Sequence, residues 1–351
     1  MRIVFAGAGF TALEAAPLVK KVLPDSTVTL IAKHEHRQLA FPSELLNNHV
    51  EPLDIQQHCK QRGIECIVGT ITSIDREQRI IHIGETQLGY DYLVLDMGSE
   101  PANMPQAAIP CNNRHNMLEL KHHVIGQVIK AKEDSSAMYK TFVVAGTSVQ
   151  SVETMAELRR FVNRLAEKHL FFPEEFTFIL VTQRQHLNGR LRKILEQQQV
   201  EIYDEIAKRY IPGSLYLEDR TIETQTLVWG EHRPNTLLDG LGLVMNTACE
   251  VDKHLRTSDH KVFAAGGCAT ATRELTITAL NRDDALILAH NLVASVTSRR
   301  MKAFKPGRSY TVSTADGKAL LWTPLFSLHS GLSRSIREHY SKKHAKRIQK
   351  A

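Results

Sequence analysis

The chain has 351 residues, 42% hydrophobic and 23% charged, long enough for two modest domains or one large one. Its 44 Lys+Arg against 38 Asp+Glu leave a formal charge of +6, all of it held by Gly331 to Ala351, where seven basic residues (Arg334, Arg337, Lys342, Lys343, Lys346, Arg347, Lys350) face one acid, Glu338. The remaining body is balanced at 37 basic and 37 acidic groups, which argues against a nucleic-acid binder with Lys and Arg spread over a folded face.

Arg2 to Ala6 is a short β-branched and aromatic run, glycines follow at 7 and 9, and a helical segment runs from Phe10 to about Leu23. Thr27 to Ala32 (TVTLIA) then reads as a second strand, completing a βαβ unit in which Pro17 should kink the helix. Pro52 to Arg62 reads as a helix and Ile64 to Val68 as a strand. Arg79 to Ile83 and Thr86 to Leu88, split by Gly84-Glu85, read as part of a small meander, and Tyr92 to Asp96 as a buried strand. A second unit follows with strand Thr141 to Ala145, helix Val149 to Leu165, strand Phe176 to Thr182 and helix Asn188 to Gln198. Strands return at Leu215 to Trp229, KVFAA (Lys261 to Ala265) precedes Gly266-Gly267, and Leu280 to Thr297 is a long apolar helix. The expected fold is α/β with two Rossmann-like domains, the first discontinuous (1–108 and 226–300), the second at 109–225, and a short basic C-terminal extension at 301–351.

GAGFTA (Gly7 to Ala12) fits G-x-G-x-x-G/A directly after a strand and opening a helix. Gly7 permits the tight turn, Gly9 lets the backbone approach a pyrophosphate, Ala12 permits close packing, and the helix N-terminus favours phosphate. The carboxylate expected for the ribose at the end of the second strand is absent, because Ala32 and Lys33 stand there; the ribose is held by backbone and Lys33, or Glu35 substitutes.

The order GAGFTALEAA, FPSELL (Phe41 to Leu46), YDYLVLDMGSEP (Tyr90 to Pro101), VWGEHRPN (Val228 to Asn235) and VFAAGGCA (Val262 to Ala269) resembles the two-dinucleotide-binding-domain flavoproteins over nearly the whole chain. Within that group the chain is most similar to type II NADH dehydrogenases and sulfide:quinone oxidoreductases. The resemblance implies FAD held across Gly7, Ala8, Gly9, Phe10, Thr11 and Ala12, with Lys33 near the adenosine ribose. Pro42 and Gly98 would lie against the isoalloxazine, and Gly266, Gly267 and Thr278 around its other side. It implies a nicotinamide nucleotide, NAD(P)H, on the second domain at Gly146, with Glu153 lining the nicotinamide side, and a quinone as electron acceptor. No residue is assigned an acid–base or nucleophilic role, because a flavin does hydride chemistry without one.

The sequence departs from that family at several points. Gly267 stands where an Asp usually follows the glycine, and Asp96-Met97-Gly98 replaces Ala-Thr-Gly. The second Gly-rich turn reads AGTSVQSVETMAEL (Ala145 to Leu158), with Ser151 in the last glycine's place, and the next strand ends at Thr182-Gln183-Arg184 without an acid for a ribose. Two alternatives stay open: a sulfide:quinone-type enzyme, which expects Cys111 beside the flavin, and a non-catalytic binding protein with eroded cofactor motifs.

Five cysteines, odd in number and without a CxxC pair, fit a reduced cytoplasmic protein, and MRIVFAGAGF lacks the regions of a signal peptide. No metal site is expected, since His34-Glu35-His36 and His122-His123 lack ligand spacing, and histidines read by default as solvated. In the tail, Leu332, Ile336, Tyr340 and Ile348 share a row among basic residues, after the apolar ALLWTPLFSL (Ala319 to Leu328). Residues 331–351 read as a separable module. They form either a solvated helix or an anchor on an anionic, cytoplasmic membrane face, which the family resemblance favours and in which each Lys or Arg gains roughly 1 kcal/mol. A homodimer is left open; a nucleic-acid partner is not expected.

Overall fold

The computed structural model describes residues 1–37, 42–48, 51–183, 187–245, 248–269, 283–305 and 309–350. Its first sheet is wholly parallel. β1 (Arg2–Ala6) pairs with β2 (Thr27–Ala32) on one side and β4 (Tyr92–Leu95) on the other; β3 (Glu65–Val68) extends the β2 edge. The far edge is Val262–Ala264, in register with Leu93 to Leu95. Helices cover this sheet, so its strands read as apolar runs rather than alternating ones. Helix α1 (Phe10–Val22) lies on it together with a helix at Asp284–Val296, and Thr11 Oγ1 donates to Asp284 Oδ2 across them at 2.7 Å.

Pro17 does not end α1. Having no N–H, it cannot bond the Leu13 carbonyl one turn back, but that oxygen lies 3.2 Å from Nε2 of His58 in the short helix Ile55–Lys60. His58 is therefore a buried helix partner rather than a solvated residue. Burial, reinforced by Arg62, pushes its pKa down to about 4, so the ring is neutral and donates from Nε2.

The second sheet is also parallel, in the order Ile109–Pro110, Thr226–Trp229, Thr141–Ala145, Thr177–Val181, Val200–Tyr203. Placing the return to the first domain at 226 needs correction: the fully buried strand Thr226–Trp229 pairs with Phe142 to Ala145, and the chain leaves this sheet only at Gly230. The crossing is made where Ser99–Pro101 pairs antiparallel with His232–Pro234. A 20-residue helix at Arg114–Glu133 was not expected from the sequence. Asn113 caps it by accepting from Asn116 N at 3.0 Å, and Met117, Leu120, Val124, Val128 and Ala131 bury one face.

The C-terminal extension is an antiparallel three-stranded sheet (Tyr310–Ser313, Ala319–Trp322, Ser327–Ser330) that runs directly into the helix Gly331–Lys350. This helix is not a separable module. Arg337 is 2% exposed and Ile348 1%, whereas Leu332 is 63% exposed, so the apolar row read from the sequence docks at its Ile348 end and is open at Leu332. What docks it is charge: Arg337 pairs with Glu153 and with Glu44, Arg334 reaches Glu157 at 3.5 Å, and Arg347 reaches Glu14 of α1 at 2.5 Å. One helix thus ties the first domain's α1 to the second domain's Val149–Lys168.

Candidate functional site

Parallel α/β sheets bind ligands at the carboxyl ends of their strands. At that edge of the first sheet, the structure brings together the β1–α1 turn, the end of β4 and the loop after Val262–Ala264. Gly7 takes φ +112, and a Cβ there would collide with the Asp96 carbonyl, so the turn closes against β4 as only glycine allows. Ala12 is fully buried, which lets α1 sit close to the sheet. Gly98 has φ +69 with open space where a side chain would point, and a Cβ on Gly267 would meet only Gly98 and Ser99 backbone at 3.8–4.0 Å. Gly98 and Gly267 therefore form a strip free of side chains, suited to a flat ring.

One side chain intrudes. The Asp96 carboxylate accepts from the Ala12 amide at 2.8 Å and fills the notch that Gly9 and Gly266 leave, so that a Cβ on either would collide with it. Arg37 lies near it, stacked over Phe10 at 5.4 Å; burial pushes the guanidinium's pKa down while Asp96 pulls it up. The backbone of the cradle thus fits a dinucleotide, and the Asp96 side chain as placed does not leave room for its phosphates.

Other expected positions fall less neatly. Lys33 is exposed just past β2, and Pro42 opens the short helix Pro42–Leu46, whose Leu45 and Leu46 pack into the core around the second sheet. Thr278 and Arg184 lie outside the described residues. Gly146 stands at the second turn, as expected, but Ser148 and Ser151 fill that turn: Ser148 caps the helix by accepting from Ser151 N at 3.2 Å, and a Cβ on Gly146 or Gly230 would collide with the Ser151 hydroxyl. Glu231 accepts from Thr147 N at 2.7 Å and from Thr147 Oγ1 at 3.2 Å.

Glu153 departs from the nicotinamide-side position expected of it. Its carboxylate is buried against Arg337 and accepts from Ser313 N at 3.1 Å. Burial pushes its pKa up despite those partners. It also pushes Glu44 up to about 7, while Arg337 is held above its ordinary value because the fields of Glu153 and Glu44 offset its own burial. Sequence reading missed this cluster because its acids and its arginine lie far apart along the chain.

All five cysteines are free. Cys111 is fully buried with its sulfur 4.0 Å from His232 Nε2, and burial pushes its thiol up to about 12. Cys268, next to Gly266 and Gly267, donates to Leu95 and Ala265 carbonyls, and burial raises its pKa. Both are protonated packing thiols at neutral pH.

Residues 1–282 match the pyridine nucleotide-disulphide oxidoreductase family. The chain belongs to that family. Its enzymes are oxidoreductases that use FAD with a nicotinamide nucleotide. An NADH oxidase of Enterococcus faecalis is 29% identical over 203 residues, which make up 54% of this chain and 43% of that enzyme, so the match spans less than half of the relative's length. Among solved structures, the sulfide:quinone oxidoreductase of Aquifex aeolicus superposes with a TM-score of 0.80 at 14% identity, covering 99% of this chain and 91% of that one. NDH2 from Plasmodium falciparum, solved with NADH, gives 0.77 at 13% identity, covering 98% and 96%. At these identities the two structures establish the shared fold.

Proposed function

We propose that this chain is an FAD-dependent oxidoreductase that takes electrons from NAD(P)H and passes them to a quinone. The observation that carries the reading is the bare strip at Gly98 and Gly267, set at the same strand ends as the Gly7–Ala12 turn. Gly7, Gly9 and Ala12 would hold the pyrophosphate end of FAD through backbone, with Ala8, Phe10 and Thr11 completing the turn and Lys33 near the ribose. Gly98 and Gly267 would lie against the ring, with Pro42 and Gly266 flanking it. Bound there, the flavin would supply reversible two-electron acceptance. The chain's own residues would bind and orient it; none is assigned a proton-transfer role, and the proton that quinol formation needs beyond the hydride would come from solvent. On the second domain, Gly146 and the helix opening at Val149 would receive the nicotinamide nucleotide.

Quinone chemistry suits a protein that reaches a membrane surface. Among the described residues no helix is long and apolar enough to cross one. The hairpin between the last two strands carries Leu325 at 93% exposed, with Phe326, Leu328 and Leu332 also exposed beside it. Four tail lysines (Lys342, Lys343, Lys346, Lys350) line a groove of about 750 Å³ together with Leu18 and Leu286. An apolar tip and a basic groove support peripheral attachment to anionic lipid. A sulfide:quinone-type enzyme is the second reading, for which the specific observation is the Cys111 sulfur 4.0 Å from His232 Nε2. Anaerobic bleaching of the reconstituted flavoprotein separates the two: NADH or NADPH supports the first, and bleaching by sulfide alone supports the second.

A further inference from the structure

An anion already occupies the place where phosphate would be received in each domain. In the first, a glycine at position 9 serves to let a dinucleotide's phosphates approach the backbone at the start of α1. Asp96 fills that space: its Oδ2 accepts from Ala12 N at 2.8 Å, and both its oxygens stand where a Cβ of Gly9 would be. In the second domain, the residue after Gly146 offers its amide at the start of the helix Val149–Lys168, and Glu231 takes it at 2.7 Å. The two carboxylates come from corresponding places, the loop after the strand next to each turn's own strand.

We propose that Asp96 and Glu231 are built-in competitors for phosphate, each accepting from a backbone amide of one nucleotide turn, so that each dinucleotide binds only by displacing a carboxylate. Two anions cannot share one set of amides without repulsion, which at about 4 Å and an effective dielectric near 20 is large against thermal energy. The wild-type protein therefore holds each dinucleotide less tightly than a variant without the carboxylate would, and the two sites are tuned by different residues. The inference rests on the flavin reading and is tested through binding rather than turnover.

The experiment measures FAD affinity of the full-length apoprotein by quenching of flavin fluorescence, and NADH affinity by calorimetry, in wild type, Asp96→Ala, Asp96→Asn, Glu231→Gln and the control Glu100→Gln. Riboflavin, which lacks phosphate, serves as a second probe. Asp96→Ala should bind FAD at least tenfold more tightly than wild type. Asp96→Asn, which keeps an acceptor for Ala12 N without the charge, should also gain, and riboflavin affinity should stay unchanged in both. Glu231→Gln should gain at least tenfold for NADH and nothing for FAD, and Glu100→Gln should gain for neither. Equal FAD affinity in wild type and both Asp96 variants overturns the competitor role and leaves the flavin reading standing. An equal gain for riboflavin also overturns it, by showing a general loosening. If none of the proteins, folded by circular dichroism, takes up FAD, the flavin reading itself fails.

Discussion

Replacing Arg337 tests how the C-terminal helix is held. Its side chain is 1% exposed and faces Glu153 at 3% and Glu44 at 14%. Arg337→Ala strands a buried carboxylate whose remaining described partner is Ser313 N, and breaking a buried pair in this way costs about 3–5 kcal/mol. With an unfolding entropy of about 2 cal/mol/K per residue, a chain of this size should then melt about 4–7 °C lower. The loss should be larger at pH 8 than at pH 6, because Glu44, already pushed up to about 7, takes a proton at the lower pH and relieves the excess negative charge. A folded-state pKa raised above its unfolded value also means that Glu44's own contribution is full below pH 4.5 and is lost as pH rises through 7. The double variant Arg337→Met/Glu153→Leu replaces the pair by apolar groups and should recover most of the loss. Thermal unfolding followed by circular dichroism at the two pH values reads all of this. An Arg337→Ala protein that melts within about 1 °C of wild type, or a double variant no better than the single, would refute the docked helix.

Three other outcomes follow from the geometry. His58→Ala leaves the Leu13 carbonyl beneath Pro17 without its partner and should cost about 1–3 kcal/mol at pH 7. Because burial depresses the folded-state pKa of His58 to about 4, its contribution is full above 6.5 and lost as pH falls through 4, so the variant's acid limb should be flatter than wild type's. Gly267→Leu should leave the melting temperature within about 2 °C, since its Cβ meets only ordinary contacts, yet abolish flavin uptake; unchanged uptake would place the ring elsewhere. Leu325→Asp with Phe326→Asp should cut co-sedimentation with anionic vesicles severalfold, and vesicle binding that persists would move the contact away from the hairpin.

The parallel sheets were legible because their buried strands are continuous apolar runs such as TVTLIA and FTFILV, and the first nucleotide turn because its glycines stand directly between strand and helix. The helix Arg114–Glu133 was missed because HHV and LELK interleave polar residues among its buried positions. Strand Thr226–Trp229 was assigned to the wrong sheet because an apolar run does not encode its partner. The tail misled for a different reason: its charge was counted as a surface property, yet Arg334, Arg337 and Arg347 meet Glu157, Glu153 and Glu14, more than a hundred residues away. The same long range hid the placement of Asp96, which reads in sequence as a departure, and of Glu231, which sits inside a motif of the resemblance; in space both occupy the turns.

The central claim is that the Gly7–Ala12 turn and the Gly98–Gly267 strip form a flavin site. The most direct measurement is the visible spectrum of the purified protein after incubation with excess FAD and removal of free cofactor, followed by anaerobic addition of NADH or NADPH. The account predicts flavin absorbance that stoichiometrically accompanies the protein and bleaches with one of the two nucleotides. A colourless protein that releases no flavin on denaturation, or a yellow one that neither nucleotide bleaches, would contradict it.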